Sequence, residues 1–185
     1  MFTPLFTDGV WNTTFNSDLK EYCYNIREKD NGVIKTNSAM GYHTNGLNLT
    51  DPEIQPLKSH IEQSVKNYSQ FISVNCKHKV CDMWINISGH KDYLSEHIHA
   101  RTLFSGVYYV HTPKNCGDIE FIRHSHDYML YDWKDVQNKY NTYNSARWTL
   151  PAEKNRCYIF PSLMKHSVTP NMNQDDRIAI SFNIV

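Results

Sequence analysis

Apolar residues recur at spacings of three and four in two early stretches, Phe15-Leu19-Tyr22-Ile26 and Ile54-Leu57-Ile61-Val65-Tyr68-Phe71, which predicts two amphipathic helices with one buried stripe each. Thr50 or Asp51 can cap the second helix, Pro52 suits its first turn, and Glu53 complements its positive end. From about residue 80 the pattern changes to short β-rich runs bounded by turn formers: Met83 to Ser88, Leu103 to Val110, Asp118 to Arg123, Arg156 to Phe160 and Arg177 to Val185. Helices followed by antiparallel strands predict an α+β chain, mainly β. An N-terminal helical part (about 1–80) covers one face of a sandwich or barrel (about 81–185). Residues 124–150 are polar and tyrosine-rich without periodicity, longer than an ordinary connection, and form a candidate substrate loop or lid. Its rings, Tyr128, Tyr131, Trp133, Tyr140, Tyr143 and Trp148, either stack on a substrate or pack on the barrel.

Alternation within the strands assigns faces. In the last run Ile178, Ile180 and Phe182 share one side, and Arg177, Ala179, Ser181 and Asn183 the other. A guanidinium beside small residues suits an inward face with room for an anion, which its planar fork pairs bidentately. In the first run Trp84, Asn86 and Ser88 oppose Ile85 and Ile87, giving a polar-lined inward face. Of Tyr108 and Tyr109, one must face inward, and Tyr109 is the favoured one.

The length of 185 residues with 40% hydrophobic content fits one domain, 1–185, with a sizeable core. Nineteen basic side chains balance nineteen acidic ones, and lysines and arginines are scattered, so there is no strong sign of nucleic-acid binding. Five cysteines without a C-x-x-C pair argue against a disulfide framework and for a reducing, cytoplasmic setting. Met1-Phe2-Thr3-Pro4 does not read as a leader, and no run is long and apolar enough to span a membrane.

The candidate chemistry begins at Glu96-His97-Ile98-His99, where imidazoles at i and i+2 project from one face of a strand and can meet one metal ion. His124-Ser125-His126 repeats the spacing, so the first pair gains weight only from residues further along the chain: Phe160-Pro161-Ser162, a lone His166, and Arg177 eleven residues later.

Taken in order, His97-x-His99, Ser105 to Val110, Gly117 to Phe121, Phe160-Pro161-Ser162, His166 and Arg177-x-x-x-Ser181-Phe182-Asn183 resemble the 2-oxoglutarate/Fe(II)-dependent oxygenase superfamily, in particular a branch found in phages and marine bacteria. The resemblance spans residues 82–185 and implies a double-stranded β-helix (jelly roll) that holds one iron(II) in its mouth. It also implies 2-oxoglutarate as co-substrate, chelating iron through its 1-carboxylate and 2-keto oxygen, with Arg177 on its distal carboxylate. Tyr109, Asn86 and Ser181 are further co-substrate candidates, Asn86 alternatively serving a buried structural hydrogen bond. The superfamily's usual triad is two histidines and one carboxylate, whereas position 99 is histidine. The favoured ligand set is therefore His97, His99 and His166, with Asp118 or Glu120 as the alternative third donor. The substrate that the resemblance allows is a protein side chain, a nucleobase or a small metabolite, and a homodimer is compatible with it. A cupin-like metalloprotein is the nearest rival, but where it needs a glutamate this chain has Leu103 and Phe104. A non-catalytic jelly-roll binding module is the other.

Overall fold

A computed structural model describes residues 9–33, 38–39, 41–123, 136 and 138–185. Within them the chain runs β1 (Trp11–Thr14), α1 (Lys20–Lys29), β2 (Ser38–Ala39), β3 (Tyr42–His43), α2 (Gln55–Phe71), β4 (Val80–Ser88), β5 (Tyr93–His97), β6 (Phe104–His111), β7 (Ile119–Ile122), β8 (Arg147–Leu150), β9 (Arg156–Pro161), β10 (His166–Val168) and β11 (Arg177–Ile184). Two antiparallel sheets form, in the orders β1-β9-β6-β11-β4-β3 and β2-β5-β10-β7-β8. Their facing sides enclose a small aromatic cluster of Tyr109, Phe121, Tyr158 and Phe160, and a cavity beside it. This is the expected mainly β jelly roll with helices on one face.

The outer face of the larger sheet carries the main core. Met83, Ile85 and Ile87 of β4, and Ile178, Ile180, Phe182 and Ile184 of β11, pack with Leu57, Ile61, Val65 and Tyr68 of α2 and with Tyr22 and Cys23 of α1. Alternation then sends the intervening residues into the barrel. The register sets Arg177 opposite Ser88, Ala179 opposite Asn86, Ser181 opposite Trp84 and Asn183 opposite Asp82. Tyr109 points into the barrel, while Tyr108 faces the helices and its hydroxyl reaches the Phe15 carbonyl at 2.9 Å.

Three local expectations need correction. The first 80 residues are not purely helical, since β1 pairs with β9, β2 with β5 and β3 with β4; strands of two to four residues are too short for a period to register. Helix α1 begins only at Lys20, because Phe15 continues from β1 and its amide bonds the Asn155 carbonyl. Helix α2 starts at Gln55 with Pro56 in its first turn, and Asp51 instead closes a preceding turn by accepting the Glu53 amide. Of the 124–150 stretch, residues 124–135 and 137 lie outside the described residues, so Tyr128, Tyr131 and Trp133 do too, as does His124-x-His126. Its end is β8, the edge strand paired with β7. Among the described residues no helix is long and apolar enough to cross a membrane.

Close approach at Gly106 fixes the spacing between β6, β9 and β11. A Cβ there would lie 2.3 Å from the Phe182 ring and 2.5 Å from the Tyr158 carbonyl oxygen. Backbone cannot yield as a side-chain tip does, so Gly106→Ala should destabilise the protein by about 2–3 kcal/mol, the upper part of the overpacking range. Urea unfolding that leaves the midpoint unchanged would contradict this.

Candidate metal centre

Strand β10 lies between β5 and β7, and its register places His166 beside His97 on one side and Phe121 on the other. His99 does not share the pleat of β5, as the i, i+2 argument expected; it lies two residues beyond the strand end. Its amide donates to the Ser162 carbonyl at 2.8 Å, so a backbone hydrogen bond to the turn after β9 positions it. The three rings converge all the same. One ligand atom from each lies within 4.8 Å of the others, and ring centroids are separated by 4.2 Å (His97 to His166), 5.1 Å (His97 to His99) and 5.2 Å (His99 to His166).

Backbone carbonyls prepare two of these rings for a metal. The Nδ1 of His97 meets the Ser95 carbonyl at 2.8 Å, and that of His166 meets the Met164 carbonyl at 2.9 Å. A carbonyl only accepts, so each Nδ1 carries the proton and each Nε2 keeps its lone pair. Phe160 packs edge-on against His166 at 4.7 Å and holds the ring's orientation. Burial lowers the affinity of all three for protons, and mutual repulsion adds to it at His99 and His166: His99 falls to about 4 and His166 to about 3. At neutral pH the site presents three uncharged nitrogen donors.

No carboxylate joins this group among the described residues. Glu120 points to the other side of its sheet, where its carboxylate accepts from Arg147 at 2.6 Å and from the Ser167 hydroxyl at 3.2 Å. The Asp118 carboxylate accepts the Ala152 amide at 2.8 Å. Both alternative oxygen donors are thus committed elsewhere.

The rings line one side of a cavity of about 340 Å³. Arg177 lines another part of it and is 4% exposed. Its Nη1 donates to the Cys116 carbonyl at 2.9 Å and its Nη2 to the Ser88 hydroxyl at 2.9 Å, both neutral acceptors. Among the described residues it forms no ion pair. Asp92 and Asp118 act on it only at longer range, and burial weakens its hold on the proton. Gly117, with φ of +85°, allows this packing: a Cβ there would lie 2.1 Å from the Thr169 carbonyl oxygen and 2.8 Å from the guanidinium. Tyr109 lines the same cavity; it is fully buried, burial raises its pKa, and its hydroxyl makes no hydrogen bond with the described residues. Asn86 and Ser181 lie next to this end but bond one another, the amide donating to the hydroxyl at 2.9 Å. Asn86 thus makes a structural hydrogen bond, although it is only half-buried.

The sequence profile of the family described as "Putative 2OG-Fe(II) oxygenase" matches residues 82–183, more than half of the chain. The chain belongs to this family. Solved structures agree on the fold. A prolyl-4-hydroxylase from Pseudomonas putida superposes with a TM-score of 0.69 at 12% identity, covering 97% of this chain and 94% of its own. HygX from Streptomyces hygroscopicus, with nickel and 2-oxoglutarate bound, gives 0.61 at 9% identity, covering 97% and 84%. A prolyl hydroxylase from Trichoplax adhaerens, in complex with a hypoxia inducible factor peptide, gives 0.61 at 11% identity, covering 96% and 84%. No curated protein matches the chain in sequence. The cupin alternative also fails on geometry, since Leu103 is half exposed and Phe104 is buried in the helix-side core, neither lining the cavity.

Some parts of this oxygenase's cavity carry little or no signal in the sequence pattern. His43, from β3, stacks on Trp84 at 5.7 Å and 17°, and Trp84 in turn lies 5.7 Å from His99. Asp82 lines the mouth; it continues the inward face of Trp84, Asn86 and Ser88 by two residues, which is the one clue to it.

The depressed histidine pKa values have a signed consequence for the metal-free protein. Unfolded histidines titrate near 6.5, so below that pH the unfolded chain binds more protons than the folded one. The stabilisation is complete above about 6.5 and is lost as pH falls toward the folded values near 3 to 4. The thermal midpoint of the metal-free protein should drop between pH 7 and pH 5, and His166→Gln, which cannot ionise, should drop less steeply. Parallel profiles would show that His166 is not held neutral.

Proposed function

We propose that His97, His99 and His166 hold iron(II) through one ring nitrogen each, and that Arg177 with the Tyr109 hydroxyl holds the distal carboxylate of 2-oxoglutarate in a substrate-hydroxylating oxygenase. The observation that carries this is Arg177: a buried cation without a carboxylate partner among the described residues, in the wall of a cavity that also gathers three neutral imidazoles. A buried charge costs several kcal/mol unless it is compensated, and a dianionic co-substrate compensates it. The donor set fits the metal, since imidazole suits iron(II) and two rings already have their tautomer set. With iron(II) and 2-oxoglutarate bound, the centre supplies oxidation by dioxygen: one oxygen atom enters a substrate C–H bond as hydroxyl, and the other enters succinate as carbon dioxide leaves.

The chain's own residues orient and exclude. The Ser95 and Met164 carbonyls and the Phe160 ring fix the imidazoles, while Arg177 supplies charge-assisted donors at the co-substrate's far end. The Asn86–Ser181 pair forms the wall beside it and presents a remaining amide proton as a further co-substrate contact. Val107, Ile119 and Phe160 keep water from the cavity wall. With no carboxylate among the described donors, an iron(II) held by the three imidazoles would be one charge more positive than the usual triad leaves it, which would strengthen its attraction for the dianion.

Anaerobic titration of the iron(II)-loaded protein with 2-oxoglutarate tests the reading, because bidentate chelation gives a weak visible charge-transfer band. The band should appear in the wild type, and its absence with iron bound would overturn the assignment. His166→Ala should lose iron binding. Arg177→Ala should keep iron but weaken 2-oxoglutarate about a hundredfold, the cost of losing one partner of a buried charge pair. Equal co-substrate affinity in that variant would remove Arg177 from the site. His99→Asp restores a carboxylate and should still bind iron, with a displaced band; an unchanged spectrum would mean that His99 is not a ligand.

A further inference from the structure

The inner face of β4 orders the cavity in layers. Ser88 meets Arg177 in the deepest layer, Asn86 and Ala179 come next, then Trp84 and Ser181, and the mouth layer is Asp82 with Asn183. His99 packs near Trp84, so the metal centre lies level with the third layer, and the mouth layer belongs to whatever approaches from outside. Among the described lining residues Arg177 and Asp82 are the only ones of lysine, arginine, aspartate or glutamate type. Arg177 serves the co-substrate end. Among the described residues the substrate end therefore carries a single fixed charge, and it is negative.

Asp82 is exposed and, among the described residues, forms no ion pair or side-chain hydrogen bond. Its carboxylate lies against the Gly46 wall of the mouth, where a Cβ on that glycine would be 3.7 Å from Oδ1. Two residues further in, about 7 Å along the strand, the Trp84 indole stands in the same face with His43 stacked on it. A carboxylate followed by an aromatic wall suits an alkylammonium, whose charged head pairs with the one while its methylenes pack along the other. Asn183 holds the layer rigid by accepting the Ser105 hydroxyl at 2.7 Å, and its amide protons remain as donors.

We propose that Asp82, Trp84 and Asn183 form the substrate-recognition subsite, and that the substrate presents a protonated amine there, as a lysine-type side chain or a free alkylamine. This rests on the oxygenase reading above. Asp82 is a specificity residue, because it touches the substrate away from the carbon that is oxidised.

Proton NMR line broadening of n-butylammonium by the anaerobic iron(II)- and 2-oxoglutarate-loaded protein provides the test, since the paramagnetic ion reports weak binding near the metal without turnover. Butylammonium should broaden with the wild type, and butan-1-ol and butyrate should not. Asp82→Asn, isosteric and at an exposed site, should reduce the broadening about two- to fivefold. No broadening of butylammonium, equal broadening of the neutral or anionic analogue, or an undiminished effect in Asp82→Asn would overturn the proposal. The visible chelate band of the same samples reports separately on iron and 2-oxoglutarate, so failure of the oxygenase reading is told apart from failure of this one. A lysine-containing peptide and free lysine, titrated in the same way, separate the two sources: the one that broadens at lower concentration identifies the natural form.

Discussion

Strand β11 pairs along most of its length with β4 on one side and β6 on the other, and both of its faces are in use. Its isoleucines and Phe182 are fixed in the helix-side core, so Arg177, Ala179, Ser181 and Asn183 have no choice but to face the cavity. A slip of one residue would bring Arg177 into the apolar core, at a cost of several kcal/mol, comparable with the roughly 5–15 kcal/mol that separate folded from unfolded chains. The helices that cover the larger sheet therefore act on the chemistry indirectly. By burying one face they fix the register that aims the guanidinium, and the same register sets the order of polar residues along β4.

The metal centre is built differently from the cavity floor. Two of the proposed ligands sit on short strands at the cavity rim and the third beyond a strand end, each oriented through backbone carbonyl or amide groups. In many metal sites a carboxylate behind the imidazole raises its basicity. Here the acids next to the histidines in sequence or register, Glu96 and Glu120, are instead tied to Arg147 on the outer side of the smaller sheet. With the proposed neutral ligands and neutral orienting groups, the negative charge that balances the metal would come from the co-substrate. Metal and 2-oxoglutarate would then hold one another, their affinities linked by the reciprocity of coupled binding.

How much of this could be read from the chain depended on whether a residue's neighbours differed between faces. In β4 and β11 one face is apolar and the other polar, so the inward residues, Arg177 among them, stood out by period alone. Strand β5 is mostly exposed or half-buried and β10 is three residues long, so neither had a period, and the histidines they carry were legible only as a spaced set. His99 was placed correctly in company but wrongly in cause: a loop hydrogen bond to Ser162, which no local pattern encodes, does the work expected of the pleat. His43 went unnoticed for the same reason, being placed by its stacking on Trp84, whereas the cap of α2 failed locally, because Asp51 is taken up in the preceding turn.

Strand length also resolves an apparent conflict between the two charges of the cavity. Arg177 and Asp82 would pair if they were close, leaving neither free for a ligand. Six residues separate the Arg177 layer from the Asn183 layer on β11, on the order of 20 Å at about 3.3 Å per residue, which is beyond the roughly 8 Å Debye length of physiological salt. An extended strand thus keeps a cationic end and an anionic end apart within one wall, with the imidazoles level with the layers between them. A dianion drawn to the deep end and a cation held at the mouth would occupy different ends of the cavity, which would let a co-substrate stay bound while a second molecule approaches.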